Sequence, residues 1–174
     1  MAPKKSTLDP MPVHPDIILA LHYLGSDPLR FHWTLFVQSR NASAGTKFHA
    51  VLDASTETGW AYDSTAFTLH TSQSVAAAAI VGKIAFGTVA DLGTLLSEIP
   101  VGVVPDTDKG REKVFSCRVW IREALRVLNN KGHIDCPDVD AMEKEMWEYG
   151  AQAAADIEAE TFKEAKLVKA KNSK

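Results

Sequence analysis

The sequence predicts an α+β fold in which an antiparallel β-sheet of about five strands packs against helices. Short segments rich in aromatic and β-branched residues, separated by turn residues, fill the first half of the chain. Helical spacing of apolar residues fills the second half. Strands followed by helices, rather than strands alternating with helices, are typical of the α+β class. A chain of 174 residues, 45% of them hydrophobic, is long enough to form one domain with its own core.

Five segments of the first half are predicted strands. They cover residues 17–23, 31–38, 47–52 and 60–71, with a last strand centred on 81–86. Glycine, proline and other turn residues separate the first three of these segments. Because the connections are short, successive strands are expected to pair antiparallel.

Three helices are predicted in the second half, over residues 91–99, 117–128 and about 138–166. Ser116 is a favourable N-cap, so the middle helix is expected to begin at Cys117. Gly132 follows at a position where helices commonly end. Apolar side chains line one face of this helix, and an arginine stripe lines another: Arg118, Arg122 and Arg126.

The chain is expected to form one domain with two short terminal segments. Residues 1–15, which contain four prolines, are predicted to be a disordered or extended N-terminal segment. Residues 16–166 form the single α+β domain, and residues 167–174 are a basic C-terminal tail. Met142 and Met146 lie on one face of the last helix, which could pack on its own sheet or form a homodimer.

Composition excludes several classes of protein. A net charge of −3 gives no general attraction to nucleic acid, and no apolar run is long enough to span a membrane. Two cysteines are too few for a disulfide scaffold, and the N-terminus lacks a signal peptide, so the cytoplasm or nucleus is expected. No zinc-ligand spacing and no phosphate-binding loop is present, so neither a metal nor a cofactor is expected.

Cys117 is the first candidate for chemistry. At the start of a helix, the helix dipole and free backbone N–H groups favour a thiolate and can hold an oxyanion. A cysteine nucleophile also needs a base that a third polar group orients. His32 and His49 lie on neighbouring predicted strands, so His32 is the candidate base and His49 the group that orients it.

Three motifs occur in the order His32-Trp33-Thr34-Leu35-Phe36-Val37, Phe48-His49-Ala50-Val51, and Ser116-Cys117-Arg118-Val119-Trp120-Ile121. This order resembles the circularly permuted NlpC-type papain-like proteins, particularly the lecithin:retinol acyltransferase-like group. The resemblance implies that the strand histidine precedes the helix cysteine, with Cys117 as nucleophile, His32 as base and His49 as third member. The helix start is also similar to uncharacterised fungal proteins, for which the similarity implies no activity.

The leading hypothesis is a cysteine-dependent acyl-transfer enzyme: an amidase, peptidase, thioesterase or transacylase acting on a small-molecule or peptide acyl substrate. Five residues near the three motifs are candidate substrate contacts: Trp33, Trp60, Tyr62, Ser116 and Arg118. Two alternatives stay open. One is a binding or interaction module without catalysis, and the other is a redox-responsive protein in which Cys117 pairs with Cys136.

Overall fold

The computed structural model describes residues 7–174. The strands of this part of the chain are β1 (Leu8–Asp9), β2 (Asp16–Ser26), β3 (Leu29–Gln38), β4 (Gly45–Leu52), β5 (Trp60–Phe67), β6 (Val75–Lys83) and β7 (Ala165–Lys169). The helices are α1 (Val89–Ser97), α2 (Cys117–Asn130) and α3 (Val139–Glu158). Short 3-10 turns lie at Leu69–Thr71 and Asp106–Asp108.

The strands form one mixed sheet in the order β1-β7-β6-β2-β3-β4-β5. Its larger part, β6-β2-β3-β4-β5, is antiparallel throughout. Strands β1 and β7 add to the β6 edge in parallel pairing. The predicted α+β class, with about five antiparallel strands packed against helices, is therefore confirmed, and two parallel strands extend it.

The fifth antiparallel strand lies earlier in the chain than predicted. Strand β6 ends at Lys83, whereas the prediction centred it on residues 81–86. A run of alanines, Ala76–Ala79, is buried between the neighbouring strands, and small side chains suit that central position. Phe86 is instead exposed beyond the strand, where its ring stacks on His133 at a centroid distance of 4.4 Å.

The last helix is shorter than predicted. Helix α3 ends at Glu158, and the amides of Thr161 and Phe162 both donate to the carbonyl of Asp156 just after it. The chain then forms β7, in which buried Ala165 alternates with exposed lysine, a period of two that fits a strand. The helix prediction over 138–166 was wrong in this last part because the strand pairs with distant segments.

Both terminal segments contribute to the sheet. The predicted tail over 167–174 begins inside β7, and the hydroxyl of its buried Ser173 donates to the carbonyl of Val81. Leu8 of β1 is 1% exposed, so this part of the predicted N-terminal segment is extended and packed. Residues 1–6 of that prediction lie outside the described residues.

The helices cover one face of the sheet, and the main hydrophobic core lies between the helices and that face. Phe31, Trp33 and Leu35 of β3 point into this core, together with Trp120 and Ile121 of α2. A smaller core, which contains Phe36, lies on the opposite face. Since side chains alternate along a strand, His32 and Thr34 point to that opposite face.

The two methionines that could have formed a dimer contact lie in the chain's own core. Met142 and Met146 are both 0% exposed and pack among the residues between the sheet and the helices. Trp147, beside them in sequence, is 39% exposed and contacts the ring of Phe31. Helix α3 therefore packs its methionine face on its own sheet, the first of the two predicted arrangements.

The arginine stripe of α2 forms a network of ion pairs with acidic residues. Arg122, which is 3% exposed, donates through Nε (3.1 Å) and Nη2 (2.8 Å) to Oδ1 of Asp108, a fully buried carboxylate. Arg126 binds the same carboxylate, with Nη1 2.9 Å from Oδ2. Arg118 and Arg122 both reach Glu143 of α3. The network therefore ties the segment before α2 to the two longer helices.

Candidate active site

Strands β3 and β4 separate from one another partway along their length. Their pairing extends from Gln38 opposite Gly45 to Leu35 opposite Phe48. Beyond that point β4 stays paired with β5 as far as Leu52 opposite Trp60. Residues 29–34 of β3 are registered with β2 but not with β4 in the described structure. We call the space between these residues and residues 49–52 the β3–β4 gap.

The sulfur of Cys117 lies at the β3 side of this gap. The amide of Ser39 donates to the carbonyl of Ala44, so odd-numbered residues of β3 direct their backbone groups toward β4. The carbonyl of Phe31 and the amide of Trp33 therefore open into the gap. Cys117 Sγ is 4.0 Å from the Phe31 carbonyl oxygen, and the Trp33 N–H also interacts with the sulfur. The thiol thus occupies the edge of β3 that β4 leaves unpaired.

Helix α2 delivers Cys117 to this position through its N-terminal cap. Ser116 has an extended backbone, and its Oγ accepts a hydrogen bond from the amide of Val119 at 3.3 Å. This confirms the predicted cap and the predicted start of the helix at Cys117. The first amides of the helix, those of Cys117 and Arg118, interact with the sulfur.

A chain of hydrogen bonds runs across the gap on the other side. His32 Nε2 is 2.6 Å from His49 Nδ1, and His49 Nε2 is 2.9 Å from Asp63 Oδ2. His49 is 6% exposed and lies opposite Asp63 in the register of β4 and β5. The prediction that the two histidines meet on neighbouring strands thus agrees with the structure.

Asp63 was not predicted as a site residue. It lies inside β5, in a segment that also holds aromatic residues and alanine. Aspartate is depleted in strands, so a carboxylate at a strand position that faces a histidine is a signal of function. The sequence contains the aspartate, but the register that places it opposite His49 depends on the pairing of two strands.

The structure does not join Cys117 to either histidine by a hydrogen bond within residues 7–174. The thiol donates instead to the carbonyl of Phe31, while the imidazole of His32 points to the opposite face of the sheet and is bonded to His49. The two halves of the predicted triad therefore approach one strand segment from two sides. The histidine half is assembled, and the thiol is engaged with the backbone next to His32.

The pKa values of the site favour neutral groups. Burial raises the pKa of the Cys117 thiol above its usual value, although the amides of Trp33 and Arg118 and the Arg118 charge oppose this. Burial, and then the nearby His49 and Lys47, lowers the pKa of His32 to about 4. The prediction that the helix start yields a thiolate is thus wrong for the resting protein, because the loss of water outweighs the helix dipole.

Burial also lowers the pKa of His49, against the hydrogen bond that His49 donates to Asp63, which raises it. At neutral pH the resting site therefore holds a thiol and two neutral imidazoles. A site of this kind can carry out chemistry by moving one proton from sulfur to nitrogen at the moment of attack.

The two tryptophans expected to contact substrate have different surroundings. Trp33 is 2% exposed and belongs to the core below α2. Trp60 is half-buried, and its ring meets that of Phe115 edge-on at 5.2 Å. Since Phe115 lies two residues before Cys117, Trp60 is the predicted aromatic contact that borders the segment leading to the thiol.

The other three predicted contacts already have partners within the protein. The hydroxyl of Tyr62 donates to the carbonyl of Gly93 at 2.9 Å. Ser116 caps α2, and Arg118 donates to both carboxylate oxygens of Glu112 at 2.8 and 2.7 Å. These bonds position α1 and α2 around the site.

The proposed redox pair does not meet. Cys117 begins α2, whereas the amide of Cys136 donates to the side chain of Asn129 at the other end of that helix. Twelve helical residues span roughly 18 Å, far more than the 4.4–6.8 Å that a disulfide allows between Cα atoms. A disulfide between Cys117 and Cys136 within one chain is therefore excluded in this fold.

Residues 7–174 contain no group of three or more histidine, cysteine, aspartate or glutamate side chains placed to hold a metal ion. Over the same residues, each helix is either too short or too polar to cross a membrane.

The fold and the site define a class: an α+β protein with a thiol at a helix start on one side of a strand segment and a His-His-Asp hydrogen-bond chain on the other. The sequence model of the DUF6914 family, described as a family of unknown function, matches residues 15–170. The chain therefore belongs to that family. Comparisons with curated proteins and with solved structures gave no match. The resemblance to the NlpC-type papain-like proteins consequently depends on the three motifs alone.

Proposed function

We propose that this protein is a cysteine-dependent acyl-transfer enzyme of the amidase, peptidase, thioesterase or transacylase type. The observation that carries this proposal is the hydrogen-bonded chain of His32, His49 and Asp63 across the gap that also holds the Cys117 sulfur. A histidine oriented by two further polar groups, beside a thiol at a helix start, has the components of an activated nucleophile.

The first half of the reaction forms an acyl-enzyme. The Cys117 thiol gives its proton to His32 as the sulfur attacks the carbonyl carbon of the substrate. The carbonyl oxygen becomes an oxyanion, which the first amides of α2 are positioned to stabilise. The tetrahedral intermediate then collapses, and the leaving group departs with the proton from His32. The product is a thioester on Cys117.

The second half releases the acyl group. His32 takes a proton from water or from an acceptor molecule, which attacks the thioester carbonyl. The sulfur leaves and recovers its proton from His32, so the enzyme returns to its starting state. Water as acceptor makes the protein a hydrolase, and any other acceptor makes it a transferase.

One movement is required before the first step. The thiol must leave the Phe31 carbonyl and meet the imidazole of His32. The sulfur already contacts the backbone on either side of His32, at the Phe31 carbonyl and the Trp33 amide. Catalytic hydrogen bonds are often long or misaligned before substrate binds, and this arrangement fits that behaviour.

A binding module without catalysis is the alternative, and one observation favours it. Burial raises the pKa of Cys117, and its proton is donated to a backbone carbonyl, as in a cysteine that serves only packing. The two functions differ in whether Cys117 accepts an acyl group from a donor.

The test uses p-nitrophenyl acetate as a general acyl donor at pH 7.5. We expect release of p-nitrophenol together with an acetyl adduct on Cys117, detected by mass spectrometry of a peptide digest. The Cys117→Ala variant should lose both signals. The matched control is Cys136→Ala, which removes the other cysteine, buried at the far end of α2, and should keep both.

Acetylation of Cys136 alone, or p-nitrophenol release that persists in Cys117→Ala, would contradict the proposal. An intact wild-type protein that never acquires an acetyl group on Cys117 would favour the binding module.

A further inference from the structure

Asp63 ends the hydrogen-bond chain on its exposed side. Its side chain is 43% exposed, whereas that of its partner His49 is 7% exposed. Oδ2 of Asp63 lies 2.9 Å from Nε2 of His49, and Nδ1 of His49 lies 2.6 Å from Nε2 of His32. The carboxylate at the end of this chain determines which atom donates and which accepts in each hydrogen bond.

A carboxylate only accepts hydrogen bonds, so Nε2 of His49 must carry the proton that it donates to Asp63. A neutral imidazole has a single N–H, so Nδ1 of His49 carries none and must accept. Nε2 of His32 is then the donor of the next bond. The remaining nitrogen, Nδ1 of His32, is left with its lone pair.

We infer that Asp63 is a positioning residue that fixes the tautomers of both histidines and so makes Nδ1 of His32 the basic atom of the site. This inference rests on the proposed function for its catalytic meaning, although the tautomers themselves do not. Asp63 acts through His49 and does not contact the thiol.

The other ionisable groups near the chain are engaged elsewhere. Both ring nitrogens of His22, whose ring centroid is 6.4 Å from that of His32, are used: Nδ1 by Ser74 Oγ at 2.9 Å and Nε2 by Thr34 Oγ1 at 3.2 Å. The Lys47 ammonium lies 4.2 Å from the centroid of the Phe67 ring. Lys47 also acts on the chain through its charge, which lowers the pKa of both His32 and His49.

Two substitutions at Asp63 alter the end of the chain in different ways. Asp63→Asn keeps the size but adds an N–H₂ donor, which can reverse both bonds and put the proton on Nδ1 of His32. Asp63→Ala removes the acceptor and lets both tautomers of His49 form. The matched control is Thr65→Ala, an exposed residue two positions along β5 on the same face.

The experiment reads the tautomers directly, from long-range ¹H–¹⁵N spectra of ¹⁵N-labelled protein at pH 7. We expect the Nε2–H form for both His32 and His49 in the wild type and in Thr65→Ala. In Asp63→Asn and Asp63→Ala, His49 should show a mixture with the Nδ1–H form. Acetylation of Cys117 should slow about 100-fold, less than the roughly 10⁴-fold loss known for a buried triad aspartate, because Asp63 is half exposed.

An Nδ1–H tautomer of His49 in the wild type would overturn the inference, as would unchanged tautomers in both Asp63 variants. The test also separates this inference from the proposed function. Tautomers that shift as expected, in a protein whose Cys117 is never acetylated, would support the role of Asp63 and remove the acyl-transfer function.

Discussion

Helix α2 carries two clusters of ionisable groups that differ in how their charges are satisfied. On one side, Arg118, Arg122 and Arg126 pair with acidic residues from the preceding segment and from α3. At the start of the helix, Cys117 lies at the β3–β4 gap, which the hydrogen-bond chain of His32, His49 and Asp63 crosses. The first cluster consists of fully charged pairs, whereas the second rests as neutral groups.

The pKa values express the same difference. Burial by itself would raise the pKa of Asp108, but hydrogen bonds from Arg126 and Arg122 hold it at about 2. At the gap, burial raises the pKa of Cys117 and lowers that of His32, so both groups resist their charged forms. A paired charge stabilises a fixed structure, whereas a neutral acid beside a neutral base is able to exchange a proton. The arginine network therefore has the paired charges of a structural support, whereas the gap holds the neutral groups on which the proposed acyl transfer depends.

The largest expected effect on stability comes from breaking the arginine network. Arg122→Ala leaves the fully buried Asp108 with Arg126 as its remaining strong partner. The Asp108 charge is then only partly compensated, so the free energy of unfolding should fall by about 3 kcal/mol, the low end of the range for a broken buried ion pair. Urea denaturation followed by circular dichroism measures this change.

The control for that experiment is Lys109→Ala, which removes an exposed ion pair with Asp106 and should leave the urea midpoint unchanged. A loss of less than about 1 kcal/mol in Arg122→Ala would mean that the network is no more important than surface pairs, and the comparison would fail.

A smaller effect should appear in the pH dependence of stability. The pKa of His22 is lowered to about 3, first by burial, and that of His32 to about 4. Because an unfolded histidine titrates near 6.5, the unfolded state binds more protons as the pH falls below that value. The free energy of unfolding should therefore decline from pH 6.5 to about 4, by up to about 1.4 kcal/mol per pH unit for each histidine.

The arginine network should respond in a different range. The lowered pKa of Asp108 contributes stability that is present above about 3.8 and is lost as the pH falls toward 2. Urea titrations from pH 7 to 2 cover both ranges. In His22→Gln the decline above pH 4 should be weaker than in the wild type. An identical decline in both proteins would show that His22 is not held neutral by the fold.

Local signals in the sequence were enough to predict the start of α2 and most of the antiparallel strands. Serine is a common N-cap when it precedes apolar residues with helical spacing. Ser116 has this position, so the helix start at Cys117 could be predicted without knowledge of the fold. His32 and His49 lie in strands joined by one short connection, so their proximity could be predicted, although both lie just beyond the stretch in which the two strands pair.

Features that depend on distant segments were missed. Strand β7 forms because its buried alternate residues pair with β6 and β1, which are far away in sequence. Asp63 joins the site through the register of β4 and β5. The β3–β4 gap and the bond from Cys117 to the Phe31 carbonyl both depend on where the sheet stops pairing, and no local pattern encodes that point.

The most direct test of the proposed function is the rate at which p-nitrophenyl acetate acetylates Cys117 in the wild type and in His32→Asn. A positioned general base contributes about 10²- to 10⁴-fold, so we predict a loss of at least about 100-fold. The control His133→Asn alters a histidine that is not part of the His-His-Asp hydrogen-bond chain, and it should keep the wild-type rate. Circular dichroism checks that all three proteins are folded. Equal acetylation rates in the wild type and in His32→Asn would contradict the role of His32 as the base.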